Sequence, residues 1–392
     1  MSRAEPAAAS TAQSPQVSVG IRVPIAAPSM PRALDIAPYL DRIDQSGWYS
    51  NFGPIVSEFE ARLESRFPAG TRVITTVNGT LGLTLALEAL SLPPGSLCAL
   101  PSWTFVATAH AVRMARLVPW FVDVDPAEGE LTPDLLRQHL ASAPGKVTAA
   151  IPVAVMGRPL DLAAWRGFQD DTGVRVVVDA AAGFDAARSA PVPVMVSLHA
   201  TKALGIGEGA FIATEDHQLS QRLRAMTNFG FLGDRISRHV ATNAKLSEYA
   251  AAVGLAALDL WAGTRSKYLA AARRLRMALV DEDRIGFQGG WGLDWISSTC
   301  VVRLPMGSPE AVEAHLRASG IDTRRWWSEG CHLAPAFLDC PRSDLRVTEE
   351  LASSSLGIPF FADLHAGQIN DTAAALRSVI DGIQPQARSQ AL

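Results

Sequence analysis

Between residues 72 and 214 short apolar runs of strand character alternate with stretches of helical periodicity, and this alternation narrows the fold more than any other feature of the chain. The strand-like runs cover 72–77, 97–100, 119–124, 148–155, 174–179, 194–198 and 209–214. Helical patterns fill 80–90, 104–115, 133–141 and 160–170 between them. Such a succession predicts an α/β domain with a mostly parallel sheet. Beyond residue 215 the alternation fades. The Ala- and Leu-rich, proline-free stretch 247–280 reads as one long helix, or two in series, leaving that domain, and 286–383 mixes two or three strands with helices. The expected organisation is a disordered leader over 1–20, rich in Ala, Ser, Pro and Gln, a large domain over 21–260 and a smaller C-terminal α+β domain over 261–392.

Composition narrows the functional classes. A chain of 392 residues that is 48% hydrophobic and 19% charged can bury a large core. Its net charge of -4, with no long block of either sign, points to neither nucleic acid nor an acidic membrane surface. Arg273-Arg274-Leu275-Arg276 reads as the solvated face of a helix. The four cysteines, Cys98, Cys300, Cys331 and Cys340, lack metal-ligand spacing, so we expect no metal and reduced thiols in a cytoplasmic protein. No apolar run approaches the ~20 residues that cross a bilayer.

Chemistry enters with Lys202, in the run Ser197-Leu198-His199-Ala200-Thr201-Lys202, and with Asp179 at the end of an apolar strand. A lysine can form a Schiff base with an aldehyde cofactor, and an aspartate at the carboxyl end of a strand can hold a protonated pyridine nitrogen. The pair suggests pyridoxal phosphate. Asn78-Gly79-Thr80 follows a strand and opens a helix, where backbone amides and the Thr80 hydroxyl can receive a phosphate, although plain helix capping explains it as well. Asp179 alone could equally cap the next helix. Ser197 offers a second hydroxyl to the phosphate. Gly205, Gly207 and Gly209 do not sit between a strand and a helix, which argues against a dinucleotide fingerprint.

Taken in order, these motifs match a family. Gly47-Trp48-Tyr49-Ser50-Asn51-Phe52-Gly53-Pro54, Asn78-Gly79-Thr80, Pro101-Ser102-Trp103-Thr104-Phe105-Val106-Ala107-Thr108-Ala109, Phe121-Val122-Asp123-Val124-Asp125-Pro126, Asp179-Ala180-Ala181, the Lys202 run through Gly207-Glu208-Gly209, and Asn243-Ala244-Lys245-Leu246-Ser247-Glu248-Tyr249 resemble the DegT/DnrJ/EryC1/StrS sugar aminotransferases from about residue 35 to 380.

The resemblance implies a fold-type I, pyridoxal-phosphate-dependent aminotransferase, an obligate homodimer with active sites at the subunit interface. By it Lys202 carries the internal aldimine, Asp179 binds the pyridinium and Phe105 stacks on the ring. The Gly79 backbone, Thr80 and Ser197 hold the phosphate, with Asn243 arriving from the partner chain. Trp48, Tyr49, Arg325, Trp326, Trp327 and His332 form substrate loops, with core filling the competing role for at least one of the tryptophans. The implied donor is L-glutamate. The implied acceptor is a nucleotide-linked keto-deoxysugar, and Thr323-Arg324-Arg325-Trp326-Trp327 looks more like members aminating C4 of a 4-keto-6-deoxy sugar than those acting at C3. Such amines commonly end in lipopolysaccharide or secondary-metabolite glycosides. Sugar dehydratases of the family replace the lysine by histidine, so Lys202 favours transamination over elimination. The chain departs from the pattern at Ala182, where the family usually has His or Gln; a water or His199 could supply that contact. This departure is the one hint of a catalytically silent regulator.

Overall fold

The computed structural model describes residues 20–382, so the expected leader, apart from Gly20, lies outside the described residues. The large sheet is assembled from β1 (Arg72–Thr76), β2 (Leu97–Pro101), β3 (Val118–Val122), β4 (Val147–Ala150), β5 (Arg175–Val176), β6 (Val178–Asp179), β7 (Val194–Ser197) and β8 (Ala210–Thr214). Their side chains are almost all buried, the pattern of strands covered on both faces. β5 and β6 are one strand line interrupted at Val177, whose amide still bonds the Ala150 carbonyl at 3.0 Å. The sheet therefore runs β3-β2-β4-β5/β6-β7-β8-β1. Only β8 is antiparallel, to both of its neighbours.

Helices α1 (Ala33–Ser46), α2 (Pro54–Glu64), α3 (Gly79–Ala89), α4 (Val106–Met114), α5 (Pro133–Leu140), α6 (Leu162–Thr172) and α7 (His217–Met226) belong to this half of the chain. Several start where a side-chain oxygen accepts from an amide of the first turn: Asn78 for α3, Thr132 for α5, Asp161 for α6 and Asp216 for α7. The anticipated strand at 148–155 is shorter: β4 ends at Ala150, after which Ile151 N still donates to Ala99 O at 2.8 Å and Val153 bridges Asp179, before Val155–Gly157 form a single 3₁₀ turn with Met156 at φ 52°.

The long helix is continuous as α8 (Glu248–Ala278), capped by Ser247 Oγ. Its first half packs on α2, where Phe59 faces Gly254. Its second half meets the C-terminal region through Tyr268, 5.8 Å from Phe360 between ring centroids. Arg273 and Arg274 are solvent-exposed, as their run suggested. That region holds the antiparallel sheet β11-β10-β9, from β9 (Gly286–Phe287), β10 (Cys300–Arg303) and β11 (Ser355–Ile358), with α9 (Pro309–Ala318), α10 (Arg346–Ser354) and α11 (Ala366–Asp381). Residues 22–25 sit with the C-terminal region: Val23 bridges Ile321, and Phe360 N donates to Ile25 O at 3.1 Å. No described helix is long and apolar enough to cross a membrane.

Candidate active site

The carboxyl ends of the central strands bring the expected residues together. Asp179 closes β6 with only 5% of its surface exposed. Thr108 Oγ1 donates to Asp179 Oδ2 at 2.7 Å, and the Ala181 amide donates to Oδ1 at 3.0 Å. Burial raises the Asp179 pKa above the ordinary carboxyl value, while those two donors and the Lys202 charge pull it back. The Lys202 amine is lowered, first by burial, with Asp179 acting in the opposite sense. Each charge therefore moderates the other. Thr108 is not among the residues expected at this site from sequence. Its signal was the pair of hydroxyls one helical turn apart, since Thr104 Oγ1 lies 2.8 Å from Thr108 Oγ1 and completes a relay to the carboxylate.

The phosphate elements also converge. A Cβ placed on Gly79 would lie 3.1 Å from Met195 Sδ and 3.5 Å from Ser197 Cβ, so the start of α3 abuts the end of β7. The Asn78 side chain accepts from Leu81 N at 2.9 Å. The amides of Gly79 and Thr80, at the first two helical positions, have no carbonyl one turn back to bond and are free for an anion. Val77 N donates to Ala244 O at 3.1 Å, bringing the Asn243 segment alongside. Asn243 itself is exposed, and its Oδ1 accepts from Lys245 Nζ at 2.7 Å.

Phe105, the residue before α4, is 58% exposed, which is unusual for a phenyl ring beside a buried carboxylate site. It lines a cleft of about 420 Å³ together with Thr104, Arg325, Trp326, Trp327 and Cys331. The cleft thus gathers three of the expected substrate-loop residues, and Trp327 packs edge-on against Trp103 at 5.2 Å. Arg325 has a second engagement. Its guanidinium pairs with Glu310 and donates to Ala352 O at 2.8 Å, while the adjacent Arg324 is exposed over the Trp326 ring at 5.0 Å. His332 is not at the cleft surface. It is 2% exposed, its Nδ1 sits 2.7 Å from Ser102 Oγ, and its amide donates to the same oxygen at 3.2 Å. Trp48 and Tyr49 lie elsewhere in the same chain, Trp48 against Gly53 and Tyr49 stacked on Tyr249 at 6.1 Å.

Residues 33–377 match the DegT/DnrJ/EryC1/StrS aminotransferase family. The chain belongs to that family. It is 30% identical to the dTDP-3-amino-3,4,6-trideoxy-alpha-D-glucose transaminase of Streptomyces venezuelae, over 88% of this chain and 89% of that protein. Among solved structures, a putative PLP-dependent aminotransferase from Bacillus cereus ATCC 10987 is similar with a TM-score of 0.85 at 27% identity, covering 91% of this chain and 99% of that one. DesI, in the presence of its TDP-sugar product, is similar with a TM-score of 0.83 at 31% identity, covering 94% and 95%.

The fold is that of fold-type I aminotransferases, and the cofactor of this DegT/DnrJ/EryC1/StrS enzyme is pyridoxal phosphate. The residues present fit it. A buried carboxylate held by two donors suits a ring nitrogen that carries a proton, the exposed Phe105 face suits a flat ring, and the open amides of α3 beside Ser197 suit a phosphate. At Ala182 no polar side chain is available. The His199 ring is already engaged, with Nδ1 2.9 Å from Thr201 Oγ1 and Nε2 3.7 Å from Glu208 Oε1.

Proposed function

We propose that the enzyme transfers the amino group of L-glutamate to a nucleotide-linked keto-deoxysugar, at C4 of a 4-keto-6-deoxy hexose. The observation that carries this reading is the aromatic-walled cleft of about 420 Å³ running from Phe105 to Trp326 and Trp327, within the range of ligand pockets and faced by rings that stack on sugars and bases. The acceptor class rests on the relatives: DesI is known with a TDP-sugar product, and the Streptomyces venezuelae protein is a dTDP-amino-sugar transaminase. A second reading, amination at C3, draws on the name of that transaminase.

When bound, the cofactor supplies an aldehyde that carries the amino group and a ring that accepts an electron pair. Asp179 keeps a negative charge at the ring nitrogen, its carboxylate fixed by Thr108 and the Ala181 amide. Gly79, Thr80 and Ser197 anchor the phosphate, and Asn243 reaches the site of a second copy. Lys202 Nζ is the covalent anchor and, once displaced by the donor, the base. Burial lowers its pKa, so more of the neutral amine is present to accept the α-proton of glutamate, and the former aldehyde carbon of the cofactor, across the transferred nitrogen, would receive it. The presence of Lys202, where the dehydratases of the family carry histidine, favours transamination over elimination of water and over a silent protein. In the second half-reaction the same atom moves a proton in the reverse sense onto the sugar carbon that receives nitrogen.

We assign the working form to a homodimer. Ile236 and Val240 are 60% and 86% exposed, and with Phe229 they continue along the Asn243 segment toward Tyr249, Tyr49 and Trp48. That much exposed apolar surface on one edge suits a second copy of this chain. The test of acceptor and position is a panel of dTDP- and UDP-linked 4-keto and 3-keto 6-deoxy hexoses, with the product carbon read by NMR. Nitrogen at C4 is expected. Nitrogen at C3 selects the second reading, and a dehydrated product without nitrogen overturns both.

A further inference from the structure

We infer that Gly357 sets the affinity of the cleft for its acceptor by leaving the hollow in which the Trp326 indole sits. The inference rests on the reading of that cleft as the sugar-acceptor site. Gly357 is in the middle of β11, paired with Val301 on one side, and on the other it exchanges hydrogen bonds with Arg324 at 2.8 and 3.1 Å. Its φ is not among the positive values, so its backbone conformation would suit any residue, and a glycine inside a strand weakens it. Space is what requires glycine here. A Cβ at 357 would lie 2.6 Å from Trp326 Cδ1 and nearer still to Nε1, and 2.7 Å from the Arg324 carbonyl oxygen, so the indole and the Arg324 bridge must both give way.

Trp326 is held by that hollow and by the Arg324 guanidinium over its ring. Its neighbour Arg325 is tied to Glu310 and to Ala352 O, and Trp327 is wedged against Trp103. The Trp326 indole N–H is buried without a hydrogen-bond partner. The ring has the open cleft on one side and a small cavity bounded by Gly357, Met156 and Val301 on the other. A methyl group at 357 therefore drives the indole toward the cleft, and Arg324, stacked on that ring, moves with it. Gly357 is thus a positioning residue that acts through Trp326.

The test compares half-reactions of the cofactor-loaded enzyme. In Gly357→Ala we expect the acceptor KM to rise about tenfold or more, as a displacement of about 1 Å at a reacting site can cost more than that. Conversion of glutamate to 2-oxoglutarate should stay within about twofold of the parent. Combining Gly357→Ala with Trp326→Ala, which removes the ring that the new methyl would strike, should give the acceptor KM of Trp326→Ala alone, the non-additivity expected of residues in contact. Equal losses in both half-reactions, or additive effects in the double variant, would overturn the inference. A crystal structure of Gly357→Ala decides it whatever the acceptor: an indole swung toward the cleft supports it, and an unmoved indole refutes it. If the parent consumes glutamate but aminates no ketosugar, the acceptor reading fails and that crystal structure still judges Gly357. Should the single variant not fold, the double variant is expected to; its failure as well would mean that the hollow serves the pairing of β11 with Arg324, and would sink the proposal.

Discussion

Burial sets the chemistry of Lys202 and Asp179. The fold lowers the lysine pKa, so it favours the neutral amine, and the penalty for burying an ammonium is present below the folded pKa and vanishes above the unfolded one. Lys202→Met, which removes that charge without opening a large void, should therefore raise the melting temperature of the cofactor-free protein at neutral pH while lowering turnover by about 10³-fold or more. Calorimetry and a transamination assay check the two halves; a lower melting temperature would contradict the burial argument. For Asp179 the sign is the reverse. Its folded pKa is raised, and the proposed grip on the ring nitrogen requires the carboxylate, so cofactor retention is expected to be full above that pKa and to be lost as pH falls through it. Thr108→Val removes a donor that holds the pKa down. Its cofactor should leave at higher pH than in the parent during a stepwise acid dialysis, and an unchanged profile would show that the Thr108 bond does not matter.

The strands were legible because they are buried on both faces and so read as continuous apolar runs, from Val73 in β1 to Ile212 in β8. α1 was not, because Ile43 is its only fully buried side chain and Pro38 interrupts its pattern. Nor could local sequence show that the carboxylate of Glu248, at the start of α8, would cap another helix. It accepts from Ile55 N at 2.7 Å and Val56 N at 3.2 Å, in the first turn of α2 and about 190 residues earlier in the chain. The same residue's amide donates to Tyr49 O at 3.2 Å, linking the Trp48-Tyr49 loop to both helices. Glu248→Ala leaves two buried amides without acceptors and should cost about 2–3 kcal/mol, read as a lower urea midpoint at unchanged slope. A midpoint equal to that of the parent would show that water replaces the cap.

Over the whole chain, the catalytic pair and the phosphate elements were visible as ordered motifs, whereas the orientation of the substrate segment was not. Arg324 and Arg325 are adjacent and chemically alike, and only the bridge from Arg324 to Gly357 determines which one turns to solvent and which pairs with Glu310. His332 illustrates the same limit, since a histidine bonded to Ser102 in the interior looks in sequence like one that faces a ligand. The assembly is the other long-range property. If the proposed dimer forms through this edge, Ile236→Glu combined with Val240→Glu should yield a folded monomer by sedimentation with little turnover, because the proposed reach of Asn243 into a second site would be lost; a fully active monomer would refute the shared site. The decisive experiment supplies the loaded enzyme with nitrogen-15-labelled L-glutamate and the ketosugar panel, followed by mass spectrometry of the nucleotide sugar. Label in an amino sugar, with an equal amount of 2-oxoglutarate released, is the predicted result. Release of 2-oxoglutarate with no labelled sugar would contradict the proposed acceptor, and no release at all would contradict the assignment of glutamate as donor.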